Sequence, residues 1–389
     1  MKRAAFAGHF ALRTQNRIDS APGACDNNNG NYSVQGNERM DITKIDPNFL
    51  KGTVFSEKEF TWYDLRSEPF EVRGLAVCEG ERFLRLPEEL LPRVSEGVQV
   101  LAHHTAGGHV RFRTDALRVA VRASSLYPDS IMNHMALTGS KGLDIYADGE
   151  YCATIRPGIT DEWFEGVCEL KAGVKDIEIN MPLYNGLTRL LIGISAGANV
   201  LAPRPYRFNE PVVYYGSSIT QGGCASRPGN CYQGFLSRWL DADQVNLGFS
   251  GSAKGEAEMA EYIAGLPMCA FVFDYDHNAP DVEHLRRTHE PFFQLIRRAR
   301  PELPVIFVTK PDGNRDPHGE ERRELIYATY EHARENGDAH VWFVDGRTLF
   351  GEHDHEDCTV DGCHPNDLGF YRMAEKIIPV LRAALGKKA

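Results

Sequence analysis

The sequence predicts a two-part protein: an antiparallel β-sandwich or jelly roll, followed by a three-layer α/β/α domain built on a parallel sheet. Three observations carry this expectation. The chain has 389 residues, too many for one ordinary hydrophobic core. Up to about residue 198 its apolar residues recur in short runs at strand period, cut by Gly, Pro and Asp. Beyond residue 211, apolar strands alternate with helical stretches five times. With 42% hydrophobic and 25% charged residues the composition is that of a soluble globular protein.

Residues 1–45 read as a disordered tail. The opening MKRAAFAGHFALRTQN sets Lys2 and Arg3 before a short apolar run, but His9 interrupts the run and Arg13 ends it. No small-residue cleavage site follows, which argues against a secretory signal. The Asn/Gly-rich CDNNNGNYSVQGN has almost nothing to bury, and Met40 offers a second start. Residues 46–205 carry the β pattern. VRFRTDALRVAVRASS places Val110, Phe112, Leu117, Val119 and Val121 on alternate positions around one turn-like break, and LDIYADGEYCATI has the hairpin pair Asp148-Gly149 between two runs. VKDIEINMP and TRLLIGIS continue the pattern, as an antiparallel sandwich requires. LAPRPYRFNEP, with three prolines, reads as a linker. Residues 206–389 form the α/β part: PVVYYG, QVNLGFS, CAFVFDY, PVIFVTKP and HVWFVDG are each followed by a helical run. Such alternation gives a parallel sheet covered on both faces.

The formal charge of -11 and a pI near 5.7 argue against a nucleic-acid or anionic-membrane binder, which needs a basic face. No apolar run approaches the roughly 20 residues that span a bilayer. Nine cysteines, an odd number without framework spacing, fit reduced thiols in a cytoplasm. Cys224 and Cys231 flank a Gly/Pro turn and are candidates for pairing in an oxidising compartment, which spacing alone does not decide.

In sheets of this kind ligands gather at the carboxyl ends of the strands, and there the sequence is most unusual. The first strand ends in Gly216-Ser217-Ser218-Ile219-Thr220-Gln221-Gly222, the second in Asn246-Leu247-Gly248-Phe249-Ser250-Gly251, the third in Asp274-Tyr275-Asp276-His277-Asn278. Before the last helix lies Asp361-Gly362-Cys363-His364-Pro365. These are the parts for acyl transfer. A serine hydroxyl is a weak nucleophile until an imidazole accepts its proton, and a carboxylate fixes the imidazole tautomer. Asp361 and His364, three apart in one tight turn, suit that pairing with a serine of the first block. Backbone N–H groups at that serine and at Gly248 and the Asn278 carboxamide are candidate donors to a developing oxyanion.

The four blocks, in this order, resemble the SGNH (GDSL-type) hydrolase superfamily over roughly residues 209–385. The resemblance implies a flavodoxin-like hydrolase domain with Ser218 as nucleophile, Gly248 and Asn278 as oxyanion donors, an Asp361/His364 pair, and no metal or organic cofactor. Two departures stand out: Ser217 replaces the aspartate that commonly precedes the nucleophile, and DYDHN replaces the commoner Gly-x-Asn-Asp. The combination GSSITQGG, RPGN and DYDHNAP resembles a bacterial branch whose N-terminal β-domain carries a Gly-x-Asp-Leu-Tyr signature. Gly142-Leu143-Asp144-Ile145-Tyr146 matches it with Ile for Leu.

Each feature has a plainer alternative. Ser218 has a residue type suited to capping the following helix, and Ser217 is expected to hydrogen-bond local backbone. Asn278 suits a turn cap before Pro280, with His277 as a rival, substrate-contacting candidate. Asp274 and Asp276 read as turn residues or partners of Arg227 or His277 rather than an acid/base pair. The loop 351–357, with His353 and His355 among carboxylates, reads as a solvated acidic loop, not a metal site. His103 and His104 read as surface residues, Trp163 and Tyr184 as buried loop anchors. The expected function is a serine esterase that hydrolyses a short-chain ester, acetyl first, of a carbohydrate or other polar alcohol through an acyl-serine. Its partner is a small-molecule or carbohydrate ester, with no nucleic acid or membrane. Alternatives are an acyltransferase using the same acyl-enzyme and an inactive carbohydrate-binding protein.

Overall fold

The computed structural model describes residues 55–311 and 315–386; the tail expected over 1–45, with Lys2, Arg3 and Met40, lies outside them. Four antiparallel strands make the first sheet, in the order β1 (Phe60–Asp64), β11 (Leu187–Ser195), β6 (Arg118–Ser125) and β9 (Trp163–Glu169). The second runs β12 (Val200–Leu201), β5 (His109–Thr114), β10 (Lys175–Asn180), β7 (Leu143–Ala147) and β8 (Glu150–Ile155), with β2 (Glu71–Arg73) also paired to β5. A small ribbon, β3 (Val77–Glu79) and β4 (Arg82–Leu84), completes the β elements of this part. Val110, Phe112, Val119, Val121, Ile177, Ile179, Ile192 and Ile194 from both sheets meet in one buried core, as period-two alternation requires. Leu117 departs from that alternation: it sits in the β5–β6 turn and is 55% exposed. Asp148 (φ 50°) and Gly149 (φ 80°) close the β7–β8 hairpin in the left-handed conformation that tight hairpin turns demand.

The second part is a five-stranded parallel sheet in the order β14 (Gln244–Gly248), β13 (Val212–Gly216), β15 (Ala270–Asp274), β16 (Val305–Val308) and β17 (Val341–Val344). Apart from the edge strand β14, which carries Gln244 and Asn246, its strands are almost continuously apolar because both faces are covered. Val213 and Tyr215 enter the core with α5 (Ala257–Gly265), α6 (Val282–Ala299) and α7 (Gly319–Glu335). Val212 and Tyr214 enter the opposite core with α4 (Tyr232–Leu240) and α8 (Asp367–Leu385). From β13 the chain first passes to one neighbour, β14, and then returns to the other side as β15. That reversal opens a crevice at the carboxyl end of β13.

The β part also packs into these cores. Leu86, Leu90, Val94 and Val98, the last on α1 (Glu96–Leu101), join Val213, Tyr215 and Leu247. The buried Arg85 guanidinium donates to the carbonyls of Asn246 (3.1 Å) and Gly248 (2.6 Å), and burial lowers its pKa to about 9. The described residues accordingly belong to one compact unit. Among them, no helix is long and apolar enough to cross a membrane.

Candidate active site

Ser218 begins α3 (Ser218–Gln221), the turn that leaves β13 at the crevice. The chain can turn here because Gly216 has no side chain: a Cβ would lie 2.1 Å from both Asp274 O and Thr220 Oγ1. Ser217 is the N-cap, its hydroxyl accepting the Ile219 N–H at 3.1 Å. The capping role therefore falls to Ser217, and the Ser218 hydroxyl is left for other partners. Thr220 and Tyr232 hydroxyls donate to Asp274 Oδ2 at 2.9 and 3.1 Å. Burial raises the Asp274 carboxyl to about 7 against those hydrogen bonds. Asp274 thus anchors α3 from beneath. Asp276 accepts the Lys310 N–H at 3.1 Å, and Arg227 turns instead to the sandwich, donating to Tyr146 Oη at 2.8 Å.

His364 Nε2 lies 2.9 Å from Ser218 Oγ, and its Nδ1 lies 2.7 Å from Asp361 Oδ2. The Asp361 Oδ1 atom accepts the N–H groups of Cys363 (3.1 Å) and His364 (2.8 Å). Partial burial works to raise the Asp361 carboxyl, but these bonds and the adjacent imidazole prevail and hold it down to about 2. Gly362, at φ 85°, makes the tight turn possible. A hydroxyl, an imidazole and an ionised carboxylate in series can move a proton from Ser218 and return it to a leaving group.

The expected oxyanion donors divide. The Ser218 N–H begins a helix and has no intrahelical acceptor. Asn278 spends one amide hydrogen on Phe249 O (2.9 Å) and retains a second. Gly248 is different: its N–H donates to Asn246 Oδ1 at 2.9 Å, and a Cβ there would lie 2.2 Å from Gln221 N. Gly248 lets α3 pack against β14, and its N–H does not face the site. Three residues on, Gly251 has φ 67° and open space around it, and its N–H has no acceptor among the described residues. The preceding Ser250 N–H is held by Gln221 Oε1 at 3.0 Å.

Burial raises the Asp274 and Asp276 carboxyls, and the half-buried His277 beside them acts in the opposite direction. Other residues escaped the sequence reading. Tyr184, buried as expected, donates its hydroxyl to Ser218 O at 3.1 Å. His104 is not a surface residue: its Nδ1 meets Gln221 Nε2 at 3.1 Å, and burial, with Arg85 nearby, lowers its pKa to about 3, so it stays neutral. Only the repeated polar residues of SSITQGG hinted at Gln221; nothing local marked His104. Trp163, expected to be buried, is 44% exposed on β9. Cys224 and Cys231 are free thiols, and burial pushes Cys224 up to about 12. A cavity of about 310 Å³ lined by Arg111, Tyr146, Tyr206 and Arg238 shares none of the residues around Ser218.

Comparisons with known proteins match both parts of the chain. Residues 209–382 match the GDSL-like Lipase/Acylhydrolase family, and residues 60–200 match the family described as the N-terminus of SGNH-hydrolase-type esterases. A protein described as a GDSL-like lipase from Bacteroides ovatus ATCC 8483 is 31% identical, with a TM-score of 0.74 over 84% of this chain and 98% of that one. The salicylyl-acyltransferase SsfX3 from a tetracycline biosynthetic pathway shares the fold at 20% identity (TM-score 0.72; 85% and 100% covered). An acetyl xylan esterase, Est2A, from the rumen bacterium Butyrivibrio proteoclasticus does so at 14% (TM-score 0.53; 84% and 99% covered). No curated protein sequence matches the chain. With its serine, histidine and aspartate assembled at the β13 edge, the chain belongs to the GDSL-like SGNH hydrolases, enzymes acting on carboxylic ester bonds.

Proposed function

We propose that the protein is a short-chain esterase, removing an acetyl-sized acyl group from a carbohydrate or other polar alcohol. The observation that carries the reading is the continuous series Asp361–His364–Ser218, at 2.7 and 2.9 Å. Ser218 Oγ attacks the ester carbonyl and passes its proton to His364 Nε2. Asp361, ionised at any ordinary pH because its carboxyl is held to about 2, stabilises the imidazolium. The oxyanion is met by the N–H groups of Ser218 and Gly251 and the remaining amide hydrogen of Asn278. His364 then protonates the leaving alkoxide, and water, activated by the same imidazole, releases the acyl group from Ser218. Gly251 takes the place first expected of Gly248, whose N–H is spent inside β14. A compact acyl group is supported by the setting of Ser218, which is 8% exposed beneath Tyr184 and Gly223. The polar alcohol is supported by the fold shared with an acetyl xylan esterase.

The test is a panel of acetyl to octanoyl esters of aryl and sugar alcohols, run with wild type, Ser218→Ala and His364→Ala and with acceptor alcohols present. Acetyl hydrolysis lost in both variants is expected. Activity confined to long chains overturns the acyl assignment, and transfer exceeding hydrolysis makes the protein an acyltransferase.

A further inference from the structure

Beside the proton relay, three donors from separate segments converge. His134 comes from the sandwich loop before α2 (Leu137–Ser140), Cys224 from the turn after α3, and His364 from the turn before α8. One ligand atom from each lies within 4.8 Å of the other two, and among the described residues no other group of three His, Cys, Asp or Glu side chains was found so disposed. The His134 and His364 ring centroids are 5.9 Å apart, and Cys224 Sγ touches His134 O at 3.5 Å. In a tetrahedral zinc site, with Zn–N about 2.0–2.1 Å and Zn–S about 2.3 Å, donor atoms stand roughly 3.3–3.8 Å apart. The trio's separations, at most 4.8 Å, exceed that spacing by no more than about 1.5 Å.

We infer that His134, Cys224 and His364 form a binding site for a borderline-soft divalent cation such as Zn²⁺, and that occupancy switches the hydrolase off. Two imidazoles and a thiolate are a ligand set that zinc prefers over magnesium or calcium. The His364 Nδ1 atom is engaged by Asp361, so the nitrogen free to coordinate is Nε2, the atom that faces Ser218 Oγ. The Asp361 contact already orients the ring as carboxylates orient metal-bound histidines. On binding, the Cys224 thiol gives its proton to solvent and its sulfur lone pair to the metal, while the Ser218 hydroxyl loses its acceptor. A fourth position remains for water. The inhibitory half rests on His364 as the general base proposed above; the binding half does not.

The experiment uses the full chain, stripped with a chelator, in wild-type, His134→Gln, Cys224→Ser and Ser218→Ala forms. Zn²⁺ binding is followed by calorimetry, Co²⁺ binding by absorption, and hydrolysis of an acetyl ester relative to each protein's own metal-free rate. We expect one Zn²⁺ per chain and affinity at least about tenfold weaker in His134→Gln and in Cys224→Ser. The thiolate-to-cobalt charge-transfer band should vanish in Cys224→Ser, and inhibition of wild type should be relieved by EDTA. Ser218→Ala should bind as wild type does, so binding remains measurable even if the protein proves to be no esterase. Absence of Zn²⁺ binding, or affinity unchanged in His134→Gln and Cys224→Ser, overturns the site. Binding that leaves wild-type hydrolysis unchanged overturns the switch.

Discussion

The buried carboxylate of Asp144, on sandwich strand β7, accepts the backbone N–H of Gly229 at 2.8 Å, beside the hydrolase turn that carries Arg227 and Asn230. The same carboxylate accepts Asn180 Nδ2 at 3.0 Å and faces Arg227 at 3.7 Å. Tyr146 packs so closely on Gly229 that a Cβ there would lie 2.6 Å from the ring. From this turn Asn230 donates to Asp367 at 2.8 Å, at the start of α8 three residues beyond His364. The Gly-x-Asp-Leu-Tyr-like segment is thus a clamp between the two parts.

Removing one end of that clamp strands the Gly229 N–H and the Asn180 amide and takes a nearby carboxylate from Arg227. Asp144→Ala is expected to lower stability by about 2–4 kcal/mol, read from urea unfolding, with some loss of activity as the turn relaxes. Wild-type stability in the variant contradicts the clamp.

The proton relay makes its own demand. Ser218→Ala should reduce kcat by at least about 10⁴-fold, and Asp361→Asn by about 10⁴-fold, because the amide favours the wrong imidazole tautomer. Ser218→Ala should retain the wild-type stability to within about 1 kcal/mol. Unimpaired turnover in Ser218→Ala removes the nucleophile assignment.

Asn278→Ala tests the oxyanion site. It should cut kcat by about 10²–10³-fold and leave KM nearly unchanged, since the amide acts on charge that develops in the transition state. A change in KM alone would mark Asn278 as an ordinary substrate contact.

Ser217→Ala separates the serine doublet. Losing the N-cap bond to Ile219 should cost about 1 kcal/mol of stability and leave kcat within about tenfold of wild type. Loss of turnover on the scale of Ser218→Ala would show that Ser217 does chemistry.

Asp274 predicts a pH effect. Burial raises its folded pKa to about 7, against roughly 3.9 in the unfolded chain. Between these values the folded state holds a proton that the unfolded state has lost, so this group's contribution to stability falls as pH rises from about 4 to about 7. Asp274→Asn cannot ionise. Relative to wild type it should gain stability as pH rises from about 4 to about 7, measured by urea unfolding. Parallel pH profiles for the two proteins would refute the buried ionisation. Asp144, raised to about 6 by the same cause, contributes equally to both curves and cancels.

Much of this was open to the sequence because the signals are short-range. Alternation in VRFRTDALRVAVRASS and the Asp148-Gly149 pair report backbone geometry over a few residues. Apolar runs such as PVVYYG report burial on both faces. The spacing of Asp361 and His364 likewise lies within one turn. Where such signals failed, side-chain contacts and packing intervened. Gly248 and Gly251 both suit a strand-end donor; the Asn246 side chain and the packing of α3 over β14 take the first and leave the second.

By itself the sequence pointed to the two fold classes and to the strand-end location of the polar blocks, because periodicity is a local property of the chain; the resemblance of those blocks to SGNH hydrolases singled out Ser218, Asp361 and His364. Tertiary structure alone decided that Tyr184 holds the Ser218 carbonyl, that His104 meets Gln221, that Asp144 clamps Gly229 and that His134 reaches Cys224 and His364. Those partners are 34 to 230 residues apart in sequence. What joins them is the shared burial of two sheets and their helices, which no window along the chain contains.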